Sequence, residues 1–317
     1  VTGGAGFIGS HIAQALCAQG ASVIVLDSLR SDSPPNLAWR KPGDALEWVE
    51  GDINDSPLVT RLIAGCDWVF HHAAVASVPY SVAHPIESHQ HNLNGSLQML
   101  IAARDAKVKR LVFASSSAIY GNDESEAKLE SLPPSPLSPY ALQKYSSEQY
   151  GRLFHQLYGL ETVSLRYFNV FGPRQSFDSP YSGVIARFCT RMLDHQRPLI
   201  FGDGKQSRDF VYVDNVVQAN LRAATAPADR AAGGVFNIGC GQSINLLQLA
   251  GELNRLTNQN LEPLFEPGRT GDVRSSQADI TQARTALEYA PAVSWQDGLK
   301  QTLQFYADQR DSPDSGR

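Results

Sequence analysis

Gly4, Gly6 and Gly9 in VTGGAGFIGS (1–10) stand in G-x-G-x-x-G spacing, and Gly3, Gly6 and Gly9 recur at every third position. Glycine this dense is unsuited to a helix interior, where each one costs about 1 kcal/mol relative to alanine. It suits a tight turn feeding a helix, where backbone N–H groups approach a pyrophosphate and the helix dipole favours its charge. Ile8, Ile12 and Leu16 repeat every four residues and Gly20 stops the pattern, so a helix is predicted from about Phe7 to Gln19. SVIVLD (22–27) follows as a strand, and Asp27 closes it 21 residues after Gly6. A carboxylate there would accept hydrogen bonds from an adenosine ribose and repel a 2′-phosphate, which selects NAD over NADP. Gly3, Gly6, Phe7, Ile8, Gly9 and Asp27 are therefore candidate cofactor-binding residues. Only Val1 and Thr2 precede the loop, so the strand expected ahead of it is nearly missing from this numbering.

The run that follows alternates apolar strands with amphipathic helices. SVIVLD, DWVFHHA (67–73), RLVFASS (110–116) and TVSLRYF (162–168) are apolar almost throughout, as strands covered on both faces are. Between them, Ile86, Leu93, Leu97 and Leu100 mark a helix. The order predicts an α/β fold: a doubly wound parallel sheet of the Rossmann type with right-handed crossovers. A second, smaller α/β substrate lobe is expected after Asn169, with helices near 183–195, 244–257, 280–289 and 296–307 and an isolated strand VFNIG (235–239). DFVYVDNVVQANLRAA (209–224) reads as a strand and helix returning to the first lobe. The expected division is 1–168 plus about 209–235 for dinucleotide binding, and 169–208 with 236–317 for the substrate. The tail DQRDSPDSGR (308–317) reads as frayed.

Composition narrows the function classes. A chain of 317 residues with 27 Lys and Arg against 32 Asp and Glu has a net charge of -5, and its cations are scattered, so it lacks the footprint of a nucleic-acid binder. No run approaches a membrane span and no signal sequence is visible. The four cysteines are far apart without a C-x-x-C pair, which fits a reducing compartment, and a cytoplasmic enzyme is expected.

Tyr140 and Lys144 in SPYALQK (138–144) are one helical turn apart and project from one face. A phenol with a pKa of about 10 is a poor base at neutral pH, but an adjacent ammonium and a positively charged nicotinamide favour the phenolate. Pro139 suits the first turn of that helix and Ser138 its cap. Ser115, Ser116 and Ser117 end a strand on the sheet edge that carries the glycine loop, so a hydroxyl there can hold the substrate oxygen that loses its proton. Asp52 in GDIND (51–55) falls on the same edge and could meet the adenine.

Together TGGAGFIGS, GDIND, HHAAVASVPYS, FASSSAIYG, SPYALQK, LRYFNVFGPRQ, GDGKQSRDFVYVDN, FNIGCG and GRTGDVRSSQAD resemble the extended short-chain dehydrogenase/reductases, specifically the nucleotide-sugar epimerase/dehydratase group. The resemblance runs along nearly the whole chain. It implies that Tyr140 is the base, that Lys144 lowers its pKa and binds nicotinamide ribose, and that Ser116 hydrogen-bonds the sugar oxygen. It extends the cofactor set to Asp52, Ile53, Ala73, Ala74, Ser115, Tyr140, Lys144 and Tyr167. For the substrate it implies Ser77, Ser117, Asn169, Phe201, Gly202, Arg208, Arg269, Asp272 and Ser276, with the arginines meeting the diphosphate.

Ser117 and Ala118 stand where related dehydratases carry an Asp-Glu pair and decarboxylases a Glu. Neither side chain can act as an extra acid or base, which leaves reversible oxidation at one carbon, and the resemblance implies that this is sugar C4 with bound NAD, a 4-epimerisation of UDP-hexoses. Ser276, four positions after Asp272, is small where a bulky residue excludes an N-acetyl group, so UDP-GlcNAc and UDP-GalNAc are expected substrates beside UDP-Glc and UDP-Gal. Tyr80 in SVPYS departs from the arginine of N-acetylhexosamine epimerases. The alternatives on the same scaffold are a UDP-glucuronate 4-epimerase, a decarboxylase or a dehydratase. A homodimer is implied through the helix of Leu93, Leu97 and Leu100 and the helix from Tyr140 to Tyr158. His71 and His72 read as polar packing beside the cofactor edge, and no metal is expected from His84, His89 and His91, because residues 89 and 91 diverge on a helix.

Overall fold

The structure, a computed structural model, describes residues 1–29, 36–176, 183–268 and 273–311. The glycine loop opens into α1 (Phe7–Ala18), followed by the parallel neighbours β1 (Val23–Asp27) and β2 (Leu46–Glu50). The Asp55 side chain accepts from Leu58 N and so caps α2 (Ser56–Ile63), which leads to β3 (Trp68–His71). Three short helices come next: α3 (Val78–Ala83), α4 (Pro85–His89) and α5 (Gly95–Asp105). A π-helical turn, Gln90–Asn94, splices α4 to α5. The expected helix through Ile86 is thus interrupted, and Ile86 itself is 76% exposed. β4 (Arg110–Ser116) ends in a 3-10 turn at Ser117–Tyr120, and after the proline-rich loop come α6 (Pro139–Tyr158) and β5 (Glu161–Tyr167).

The second half supplies β6 (Asn169–Phe171), α7 (Val184–Leu193), β7 (Leu199–Phe201), β8 (Ser207–Arg208) and β9 (Phe210–Tyr212). Next are α8 (Val213–Thr225), α9 (Ala228–Ala231), β10 (Gly234–Ile238), β11 (Ile244–Asn245) and α10 (Leu246–Thr257). β12 (Leu264–Glu266), β13 (Ser275–Ser276), α11 (Thr281–Leu287) and α12 (Trp295–Asp311) complete the order.

One parallel sheet organises the molecule. Thr2 bridges Leu26 on one side and His71 on the other, so Val1–Thr2 occupies the central place in the order β2, β1, Val1–Thr2, β3, β4, β5, β10. β4 and β5 are buried almost end to end because helices cover both sides. α1 and α8 pack on one face around Ile12, Leu16, Val216 and Val112, and α2, α5 and α6 on the other around Leu62, Met99, Leu111 and Phe154. Strand order reverses at the central stub, which opens a crevice at the carboxyl edge where such sheets bind ligands.

Two expectations about the second lobe are corrected. VFNIG is not an isolated strand: β10 pairs parallel with β5, and α11 packs over it, so Ala283 and Leu287 share the first core with Ile238. The physical reason is that Phe236 and Ile238 need cover and the outer edge of β5 needs a partner. Helices α7, α10 and α12 instead enclose a separate core of Phe188, Met192, Leu249, Leu253 and Leu299. The tail is helical through Asp311, and 312–317 lie outside the described residues. Asp209, just ahead of β9, is a buried carboxylate that accepts from Cys240 N, Gly241 N and Ala278 N at 2.7, 3.0 and 3.1 Å. Burial pushes its pKa up to about 6 against those hydrogen bonds. None of the described helices is long and apolar enough to cross a membrane.

Candidate active site

At the carboxyl edge of the sheet a cleft of about 340 Å³ is lined by Gly3, Gly6, Phe7, Ile8, Gly9, Asp27, Asp52, Ile53, Ala73, Ala74, Ser115, Tyr140, Lys144 and Tyr167. Every residue expected to meet the cofactor therefore faces one space. A larger void of about 570 Å³ lies ahead of Val1 between the starts of β1 and β3, at the other end of the strands. Ligands of open parallel sheets sit at the carboxyl ends, so the smaller cleft is the site.

The glycine loop has the form a dinucleotide requires. Gly3 has a φ of +66°, and a Cβ there would lie 2.7 Å from Ala73 N. A Cβ on Gly9 would lie 2.2 Å from the carbonyl oxygen of Gly3, so the first turn of α1 packs directly on the loop. No side chain caps α1 and no acidic residue sits in its first turn. Its leading N–H groups thus face the cleft as an anion cradle, which fits the diphosphate of NAD. Asp27 holds the turn after β1, accepting from Ala5 N and Leu29 N at 3.0 Å each. Two bonds leave lone pairs on a carboxylate that lines the cleft, so it can serve loop and ribose together. Asp52 accepts from Asn54 N at 2.9 Å and lies 3.8 Å from His91.

Tyr140 and Lys144 project from one face of α6, whose start is set by Pro139 and by Ser138 accepting from Ala141 N at 3.1 Å. Lys144 Nζ donates to Ala114 O at 2.8 Å and lies 5.9 Å from the centre of the Tyr140 ring. The three serines, equivalent by sequence, separate here. Ser115 Oγ donates to Glu148 Oε1 at 2.5 Å. The Ser116 hydroxyl is the one that acts on the Tyr140 phenol, and Ser117 begins the 3-10 turn. Ser116 is thus the serine that meets the tyrosine. Burial pushes the Tyr140 phenol above its ordinary pKa, with Ser116 working against it. Burial also pulls the Lys144 ammonium down to about 7, opposed by the Glu148 carboxylate. In this dry pocket, changes of charge nearby act strongly on both groups.

Among the expected substrate residues, Arg208 and Ser276 are register partners across β8 and β13, with Phe201 and Gly202 at the end of neighbouring β7. Gly202 has a φ of +85°. Asn169 leaves the sheet two residues after Tyr167 and is exposed, and Ser77 caps α3 by accepting from Tyr80 N at 3.1 Å. Arg269 and Asp272 lie outside the described residues.

His71 and His72 have the polar packing role expected of them, and Asn92 and Glu148, unread in the sequence, join them. His72 Nε2 shares a 2.8 Å hydrogen bond with Tyr167 Oη, and Asn220 holds the same hydroxyl. Burial, then Lys144, drives His72 down to about 3, so it is a neutral brace. His71 is buried between Thr2 Oγ1 at 2.7 Å and Ser96 Oγ at 3.0 Å. Asn92, in the π turn, clamps both backbone groups of Val75 and donates to Gln143 Oε1 at 2.8 Å, tying the cleft wall to α6. Only Glu148 carried a signal, its position one further turn along the Tyr140–Lys144 face.

Comparison with known proteins agrees with this geometry. The profile of the NAD dependent epimerase/dehydratase family matches residues 1–239. UDP-glucose 4-epimerase from Mycolicibacterium smegmatis is 38% identical over 309 residues, 96% of this chain and 97% of that protein. The structure of UDP-glucose 4-epimerase from Thermotoga maritima with UDP-glucose superposes with a TM-score of 0.91 at 40% identity, covering 98% of each chain. UDP-N-acetylglucosamine 4-epimerase from Methanobrevibacter ruminantium, in complex with UDP-N-acetylmuramic acid, gives 0.91 at 38% identity over 97% of each.

Proposed function

The chain belongs to the NAD dependent epimerase/dehydratase family, and from that premise we propose a 4-epimerase of UDP-hexoses that accepts N-acetylated sugars (UDP-GlcNAc and UDP-GalNAc) as well as UDP-Glc and UDP-Gal. The observation that carries this reading is Tyr140 and Lys144 on one face of α6, with the Ser116 hydroxyl acting on the phenol, set over a dinucleotide cleft with no acid or base at Ser117 or Ala118.

Ser116 holds the sugar 4-oxygen, Tyr140 takes its proton, and Lys144 supports the phenolate. NAD held in the cleft would supply a hydride acceptor and donor for sugar C4. The glycine loop and the start of α1 hold the diphosphate of NAD, and Asp27 its adenosine ribose. Arg208 and Arg269 meet the UDP diphosphate, Asp272 its ribose, Phe201 and Gly202 the uracil, and Asn169, Ser77 and Ser117 the sugar side. Ser276 leaves room for the acetamido group. Leu142, Leu153 and Leu157 form an exposed apolar stripe on α6, beside exposed Val82 and Ile86, and support a homodimer packed on that face.

The test is a product profile. Incubation with UDP-GlcNAc, UDP-Glc and UDP-glucuronate is expected to yield UDP-GalNAc and UDP-Gal without change of mass. Loss of water or carbon dioxide, or turnover of UDP-glucuronate alone, overturns the proposal. Tyr140→Phe is expected to lower turnover at least about 10³-fold while NAD still binds.

A further inference from the structure

Residues 140, 144 and 148 lie at four-residue spacing on one face of α6. The last three residues of β4 lie against them one for one: Lys144 donates to Ala114 O at 2.8 Å, Ser115 donates to Glu148 at 2.5 Å, and the Ser116 hydroxyl acts on the Tyr140 phenol. Glu148 is fully buried. Arg166 on β5 grips it through Nε at 2.9 Å and Nη2 at 2.8 Å and sends Nη1 to Tyr120 Oη at 2.9 Å. Tyr120 closes the 3-10 turn after Ser116 and donates to Asn237 Oδ1 at 2.6 Å. Ser116 is therefore held on both sides by one ion pair: Ser115 is tied to the carboxylate and Tyr120 to the guanidinium.

A buried ion pair contributes little net stability, because desolvation consumes most of its attraction and an apolar pair of similar volume does as well. What it can give here is register. We propose that Glu148 is a positioning residue that, through Ser115 and Arg166, sets the distance between Ser116, Tyr140 and Lys144 and keeps a negative charge one turn from the lysine. The inference deepens the reading of Tyr140 and Lys144 as base and cation.

The charged and titratable groups that face Lys144 are Glu148 and Tyr140 on α6, His71 at the end of β3 and His72 just after it, and, behind Glu148, Arg166 on β5. Burial holds both histidines neutral, so Glu148 is the anion of this set. Without it, Arg166 would face the lysine uncompensated.

Glu148→Gln keeps the volume and an acceptor for Ser115 but removes the charge. The lysine amine is followed by NMR of ¹⁵N-lysine-labelled protein, with Lys144→Met to assign its signal, and turnover is followed against pH. The expected result is a Lys144 titration lower by about one pH unit, an alkaline limb of turnover moved the same way, and kcat reduced about 10-fold with KM for the UDP-sugar within about 3-fold. Ser115→Ala, which leaves the ion pair intact, should lower kcat without moving the Lys144 titration. A Glu148→Gln protein that melts earlier but keeps both the Lys144 titration and the pH profile of the parent refutes the proposal. If Glu148→Gln does not fold, Ser115→Ala decides: unchanged kcat refutes, and reduced kcat with the parent's melting temperature supports. If the parent shows no epimerase turnover, the function proposed above fails, while the Lys144 titration still tests Glu148.

Discussion

The sharpest consequence of the glycine loop is at Gly9. A Cβ there would sit 2.2 Å from the Gly3 carbonyl oxygen and 2.8 Å from Gly3 C and Gly4 Cα, where ordinary contact begins near 3.4 Å. All three atoms are backbone, so no side chain can swing aside, and loop and helix must part by about 1 Å. Overpacking of this kind costs about 1–3 kcal/mol in stability. The same movement draws the α1 N–H groups away from the diphosphate, and losing two charge-assisted bonds of about 1.5 kcal/mol each weakens NAD binding about 150-fold. Gly6→Ala is the first comparison: its Cβ would meet only Gly3 O at 3.2 Å, so stability should hold while affinity falls through crowding of the ligand. Gly20→Ala is the second, with φ at +79° and open space around it, and should lose about 1 kcal/mol of stability with NAD affinity intact. Isothermal titration with NAD and urea unfolding would separate the three. Gly9→Ala binding NAD within about threefold of the parent would refute the packing argument.

Ser276→Tyr should abolish turnover of UDP-GlcNAc by about 100-fold and leave UDP-Glc within about 3-fold, measured as kcat/KM on each; equal losses on both would count against a pocket for the acetamido group. Replacing Leu153 and Leu157, which are 45% and 67% exposed, by glutamate should convert a particle of twice the 34.5 kDa chain mass to a monomer in light scattering. Lys144 should leave a pH signature on stability. Because its folded pKa is lowered to about 7, the unfolded chain holds a proton that the folded chain lacks between about pH 7 and 10, so stability rises with pH across that window. The gain in melting temperature of Lys144→Met over the parent should therefore shrink from pH 7 to 10, and a difference independent of pH would sink the assignment.

What was legible in the chain was what local chemistry dictates. The spacing of Gly3, Gly6 and Gly9, the strand ending at Asp27, and the Tyr140–Lys144 pair each follow from a turn, a period or a helical face, and each lines the one cleft. What was hidden depended on partners far along the chain. β10 reads as an isolated strand until the free edge of β5, about 70 residues earlier, is seen to need it. Ser115, Ser116 and Ser117 are chemically equal, and the choice among them is made by Glu148 and Tyr140 on another element. Glu148 and Arg166 show why such groups escape a reading by pattern: a charged residue is ordinarily a surface residue, and only its partner makes burial tolerable. The partner sits on β5, the carboxylate on α6, and the serine that donates to it on β4, so the contact exists only once three elements of the fold have assembled. The site is therefore legible as an inventory of reactive groups, whereas the spacing between those groups belongs to the tertiary structure.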